Sequence, residues 1–191
     1  MDDRTSTAVP QARWPGSIRR RVPTILQMEA VECGAAALGM VLAYHGLWLP
    51  LEQLREACQV SRDGASAAAL LRAARRFGMN ASGWRVEPAG LTNHGFPAIA
   101  FWEMNHFVVI EGVRRGRVYV NDPAVGRRVV DAAEFDTAFT GVLLTFEPTA
   151  EFRRGGERPS LIRALLPRGR DTGAALTFLG VIALCNVLPP V

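Results

Sequence analysis

The sequence predicts an α+β fold, a helical first half packed on an antiparallel sheet. Three observations carry this. Apolar runs with helical period fill residues from about 27 to 78, and short β-branched and aromatic runs fill the stretch from about 83 to 148. Turn residues separate the second set. Apolar residues make up 49% of the 191, enough to build a core for one domain with something added.

The elements follow in chain order. Residues 1–20 are polar, carry Pro10, Pro15 and Gly16, and read as a loose arm. The first helix belongs to Gln27–Gly46, QMEAVECGAAALGMVLAYHG. Leu38, Val41 and Leu42 recur at helical spacing, and Gly46 stands where a left-handed C-terminal glycine closes a helix. Cys33 therefore lies at the start of a buried helix. Pro50 opens a second helix, LEQLREAC, on which Leu51, Leu54 and Cys58 share a face and point to the core. The loop SRDGAS leads into a third, AAALLRAARRF, closed by Gly78. Strands are expected at GWRVE, PAIAFW, HFVVIEG, RVYVN and RRVV. A short helix, DAAEFDTAF, has Asp131 and Glu134 at capping-box spacing, and GVLLTFEP supplies the last strand, so the domain covers 21–148. Residues 149–171 read as a linker with a short amphipathic helix, SLIRALLP. From Gly173 to Val191 no residue is charged, and Arg158, Arg163, Arg168 and Arg170 precede that run. A membrane span needs ~20 such residues, so 172–191 is expected to begin a transmembrane helix. Arginines on its flank place the preceding domain on the cytoplasmic side.

Composition narrows the function. The net charge is +4, and every basic side chain other than histidine is arginine. These arginines sit in short clusters without interleaved aromatic residues, which does not suit nucleic-acid binding. Three scattered cysteines form neither a disulfide framework nor a zinc pattern. The N-terminus has no apolar signal-peptide core.

A thiol at a helix N-terminus meets partial positive charge and free N–H groups, and a basic partner can lower such a pKa from ~8.5 to as little as ~3.5–7.5. Taken alone, Cys33 reads as a small core residue. A nucleophile needs a base, and the chain has three histidines. His45 ends the cysteine's own helix, about three turns away. His94 lies in an Asn-His-Gly turn and is expected to be exposed. His106 opens a mid-sheet strand and can face a helix N-terminus. Asp122 ends the next strand, and cross-strand partners lie ~4.5–5.5 Å apart. Gln27, six residues before Cys33, can donate its amide N–H to an oxyanion beside the backbone N–H of Cys33. Each residue alone is ordinary. The order Gln, Cys, His, Asp across helix then sheet carries the weight.

This layout resembles the papain-like cysteine peptidases. It is closest in pattern to the N-terminal peptidase domain of bacteriocin-processing ABC transporters, which remove double-glycine leaders. The matching pieces run in order from about residue 23 to 148: QMEAVECGAAALGMVLAYHG, AARRFGM, FPAIAFW, NHFVVIEG, VYVNDPAVGRR and EFDTAFTGVLLTFEP. Glu103-Met104, before Asn105, departs from the pattern, in which Asn-Phe is frequent. The resemblance extends to the branch exporting peptides with nitrile-hydratase-like leaders. It implies Cys33 as nucleophile, His106 as base, Asp122 as the orienting acid and Gln27 as oxyanion donor. It implies a precursor peptide with its leader as substrate, cut after Gly-Gly or Gly-Ala. The implied partners are the transmembrane and ATP-binding portions of a homodimeric transporter. No cofactor is expected for the peptidase, and ATP would serve only a transporter portion, since the chain has no Gly-x-x-x-x-Gly-Lys loop. Some family members lack the cysteine and only hold substrate, so the rival expectation is an idle leader-binding domain. A more distant one is a papain-like acyl transferase such as a transglutaminase.

Overall fold

The computed structural model describes residues 17–158 and Thr177. Strand β1 (Ser17–Arg19) comes first, and a 3-10 turn (Ala30–Glu32) leads into helix α1 (Cys33–His45). Helices α2 (Leu51–Ala57) and α3 (Ala67–Arg76) follow. The strands are β2 (Met79–Arg85), β3 (Ala98–Trp102), β4 (His106–Arg114), β5 (Arg117–Asp122) and β6 (Gly126–Val130). Helix α4 (Ala132–Ala138) and strand β7 (Phe139–Pro148) complete the α+β domain. The pairs are antiparallel in the order β2-β7-β3-β4-β5-β6, and β1 takes the part of β4 that β3 leaves free, Gly112–Arg114.

Helix α1 is the centre of the first core. Residues Cys33 to Ala43 are all buried, because α2, α3 and β4 surround it. Its small residues permit this: a Cβ at Gly34 would stand 3.2–3.3 Å from Leu70 and Phe107, and one at Gly39 would stand 2.6 Å from Leu54. Gly46 closes the helix at φ 100, a left-handed conformation that favours glycine. Asp131 caps α4 by accepting N–H bonds from Ala133 and Glu134, as its spacing predicts. A second core lies on the other face of the sheet, where Trp102, Phe135 and Phe139 pack against Ile110 and Leu143.

Four expectations need correction. The end of the loose arm is ordered: Ser17–Arg19 pairs with β4. The following residues are fastened by Glu111, which a bulge between Ile110 and Gly112 turns aside. Its buried carboxylate accepts from Arg19 at 3.0 Å, Arg127 at 2.9 Å and the Val22 N–H at 3.0 Å. The first part of the linker is also folded. Thr149 N–H bonds to Gly78 O, Trp48 N–H to Gly155 O and Gly155 N–H to Gly46 O, and Phe152 packs on the first core. His94 is half-buried against Trp84, with ring centroids 5.1 Å apart. The strand expected at 83–87 begins earlier, at Met79. No helix of the described residues is long and apolar enough to cross a membrane; the helix expected at SLIRALLP and the span expected at 172–191 lie outside the described residues.

Candidate active site

Four residues singled out in the sequence bear on one site. Cys33 is the first residue of α1 and is 5% exposed. His106 opens β4 and Asp122 closes β5, so one hairpin supplies both. His106 Nε2 lies 2.8 Å from Asp122 Oδ1. The two are not direct cross-strand partners. Val109 pairs with Asn121, and continuing that register puts Asp122 opposite Val108. The imidazole reaches its acid along the diagonal, where Cα atoms lie ~7–8 Å apart and only long side chains meet.

His106 also stands close enough to Cys33 for the thiol to act on its charge. Nε2 being engaged by Asp122, Nδ1 is the nitrogen left for the thiol. Burial opposes a charge on His106, but the bond to Asp122, the nearby Cys33 and their charges raise its pKa from 6.5 to about 9. The imidazolium form therefore dominates at neutral pH. For Asp122, burial is again the opposing effect. The bonds from His106 and the Ala124 N–H, with the nearby Arg128, hold its carboxyl below the ordinary value. The Ala124 bond is 2.8 Å, and the turn after the strand thereby fixes the carboxylate.

Gln27 reaches the site through its backbone. Its N–H donates to Pro123 O at 2.9 Å, which ties the chain before α1 to the turn after Asp122. Its side-chain Oε1 is buried with no hydrogen-bond partner, so no bond of that oxygen fixes the amide. His45 is remote from this site, lying edge-on to Tyr44. Cys58 is fully buried, and burial pushes its thiol up to about 12 despite the nearby Arg76. Among the described residues no His, Cys, Asp and Glu group could hold a metal ion.

Two grooves meet at this site. One, of about 530 Å³, runs from Cys33 between the Asp63–Ala67 loop and an apolar wall of Phe101, Phe107 and Val142. The other, of about 430 Å³, is more polar and holds Gln27, Asn105, His106, Asp122 and Arg128. Asn105 borders both. A chain laid through the two would pass the sulfur.

Sequence reasoning missed several neighbours. Arg128 has its Nε 3.7 Å from Asp122 Oδ2 and its guanidinium over the Trp102 ring. Trp102 itself is paired with His106 across β3 and β4. Glu32, just before Cys33, is buried, and its spacing from Glu29 was the one visible signal.

Comparison with known proteins shows the family. A family profile described as the peptidase C39 family matches residues 21–151. The probable microcin-H47 secretion/processing ATP-binding protein MchF of Escherichia coli is 34% identical over 184 residues, 94% of this chain and 26% of its own length. The colicin V secretion/processing ATP-binding protein CvaB of Escherichia coli gives the same identity and coverage. This chain thus spans about a quarter of the length of those curated relatives. Among solved structures, a double glycine motif protease from an AMS/PCAT transporter, crystallised with the leader peptide, is 53% identical with a TM-score of 0.68, over 69% of this chain and 95% of that one. The peptidase domain of Streptococcus ComA has a TM-score of 0.63 at 20% identity, over 68% of this chain and 99% of that one, a likeness of fold. With a papain-like arrangement of helix and sheet and a family match over well over half its length, this chain belongs to the peptidase C39 family.

Proposed function

We propose that the chain is the leader-cleaving cysteine endopeptidase of a peptide-exporting ABC transporter. It would cut a precursor after a double-glycine-type pair, Gly-Gly or Gly-Ala. The observation that carries this is His106 held between Asp122 and Cys33 at the junction of two grooves. The 53% identical protease supports the substrate class, because that protein was crystallised with a leader peptide.

The chemistry follows from the geometry. The Cys33 thiolate attacks the carbonyl carbon of the scissile bond, and the carbonyl π electrons move to oxygen. The backbone N–H of Cys33 and the amide N–H of Gln27 hold that oxyanion. The imidazolium of His106 gives its proton to the departing amine as the C–N bond breaks, leaving a thioester. His106, now neutral, takes a proton from water, whose oxygen attacks the thioester. The C–S bond breaks and expels the Cys33 thiolate beside the His106 imidazolium, which restores the starting pair, and the leader leaves as a carboxylate after its acid proton passes to solvent. Asp122 keeps the ring oriented and stabilises its charged form without taking the proton. This sequence needs neither metal nor organic cofactor. ATP would act in the transporter portion.

The remaining assignments belong to the same proposal: a homodimeric transporter of the branch with nitrile-hydratase-like leaders, a first span at 172–191, and a peptidase on the cytoplasmic face, where precursors are made. The test is incubation of the chain with a precursor bearing a Gly-Gly leader, read by mass. Cys33→Ala should bind the leader and not cut it. A Cys33→Ala chain that still cuts removes Cys33 from the nucleophile role. A wild-type chain that binds and never cuts is a docking domain.

A further inference from the structure

We infer that Glu32 is a positioning residue for the oxyanion site: it sets where the Gln27 amide stands relative to the Cys33 N–H. This rests on the oxyanion role proposed for Gln27.

The segment between Gln27 and Cys33 has little regular structure beyond one short 3-10 turn. Its shape is imposed from two ends. On one side, Gln27 is tied to Pro123 through its own N–H. On the other, Glu32 turns its side chain back over the segment. One carboxylate oxygen, Oε2, accepts the N–H of Met28 at 2.7 Å and the N–H of Glu29 at 2.9 Å. These are the two residues directly after Gln27. The other oxygen, Oε1, lies 3.1 Å from Arg55 on α2. Glu32 is 1% exposed. Burying a carboxylate is unfavourable unless its lone pairs are satisfied, and here two backbone N–H groups and a guanidinium do so. Two consecutive N–H groups converging on one oxygen fix the curvature of the backbone that carries Gln27. Glu32 is also bonded covalently to Cys33, so both oxyanion donors are referred to the same residue. Arg55 holds this frame to α2, and α2 packs on α1 where Gly39 makes room for Leu54.

A plain structural role for Glu32 would lower stability and leave the chemistry of the surviving folded enzyme alone. A positioning role lowers kcat, leaves KM, and acts only through Gln27. The experiment is a double-mutant cycle on the full chain with a Gly-Gly leader substrate. Gln27→Ala should lower kcat roughly 10²-fold, the loss typical of one oxyanion donor. Glu32→Gln should lower kcat about tenfold with KM within about twofold, since an interaction made only in the transition state is lost. The double variant should be no slower than Gln27→Ala within about twofold, because partners in one network do not add. Losses that multiply, or a raised KM with kcat unchanged, overturn the inference. Should Glu32→Gln fail to fold, Arg55→Ala replaces it. The Arg55 side chain is 44% exposed, so its loss tests the frame without emptying the core. A few-fold loss of kcat that vanishes in the Gln27→Ala background supports the inference, and an unchanged kcat overturns it. Gln27→Ala cutting at the wild-type rate removes the oxyanion role, and this inference falls with it. A wild-type chain that cuts nothing sinks the proposed activity instead. Glu32 is then judged by hydrogen exchange of the 27–33 segment: faster exchange in Glu32→Gln keeps its role in setting this backbone, and equal exchange overturns it.

Discussion

Gly34→Ala should slow the enzyme while leaving it folded. Gly34 follows Cys33, the proposed nucleophile, and faces Phe107, which follows His106. The added methyl carbon would stand 3.2 and 3.3 Å from the two Leu70 methyls and 3.3 Å from Phe107 Cδ2. Carbon pairs settle at about 3.5–4.0 Å, so the shortfall is roughly 0.2–0.8 Å. Leu70 is fully buried and Phe107 nearly so, although Phe107 borders the groove beside Cys33. The part of the shortfall that Phe107 does not relieve by turning into the groove is expected to separate α1 from β4, the two elements that carry Cys33 and His106. A misplacement of ~1 Å can slow a reaction ~10²-fold. Displacements of about 0.25–0.5 Å then correspond to roughly 3–10-fold in kcat/KM. Stability shifts by a comparable amount. Overpacking costs about 1–3 kcal/mol, and replacing glycine in a helix returns up to about 1 kcal/mol. Steady-state cleavage and a urea melt on the same preparation separate the two effects. A wild-type rate, or a loss explained by the unfolded fraction alone, refutes the reasoning.

Three further outcomes are expected. Cleavage should weaken as pH rises through about 9, where His106 loses the proton that the proposed mechanism gives to the leaving amine. Because its folded pKa exceeds the ordinary 6.5, its contribution to stability is fully present below about 6.5 and is lost as pH rises through about 9. Asp122→Asn should move both limbs to lower pH, since Asp122 is among the groups raising that pKa, and limbs that stay in place would show that Asp122 does not set it. Asp122→Asn should also lose less activity than His106→Ala, because an amide still holds the ring though in the wrong tautomer; two folded variants equally dead would give Asp122 more than an orienting role. A thiol probe at neutral pH should label Cys33 and spare Cys58, whose thiol is buried and titrates near 12, and equal slow labelling would favour an idle domain.

Much of this was legible because the strongest signals are local. An apolar run ending in Gly46 marks a helix, and its first residue is then Cys33. Asp131 with Glu134 marks a cap. With three histidines in the chain, only His106 was placed by the strand pattern to face that helix. What stayed hidden depends on contacts distant in sequence. Ser17–Arg19 is too short to show alternation, and its order comes from Glu111, some 90 residues later. Residues 149–156 look like a linker because their partners are backbone atoms near Gly46 and Gly78. The diagonal reach from His106 to Asp122 follows from a register that no pattern of side chains announces. Glu32 reads as a surface charge until its bonds to Met28 and Glu29 are seen.

The last strand has a consequence for synthesis. Strand β7 is made after every other strand, yet it lies between β2 and β3, pairing Met79 with Pro148 and Ala98 with Thr145. While the ribosome is still short of Phe139, β2 has no neighbour and β3 has one open edge. Cys33 has long been translated by then, and so has His106. The sheet therefore stays incomplete until its final segment arrives. Selective labelling of Cys33 in ribosome-bound chains of increasing length should switch on only once residue 148 has emerged. Labelling that rises gradually from residue 122 onward would mean that the hairpin and α1 assemble without the closing strand.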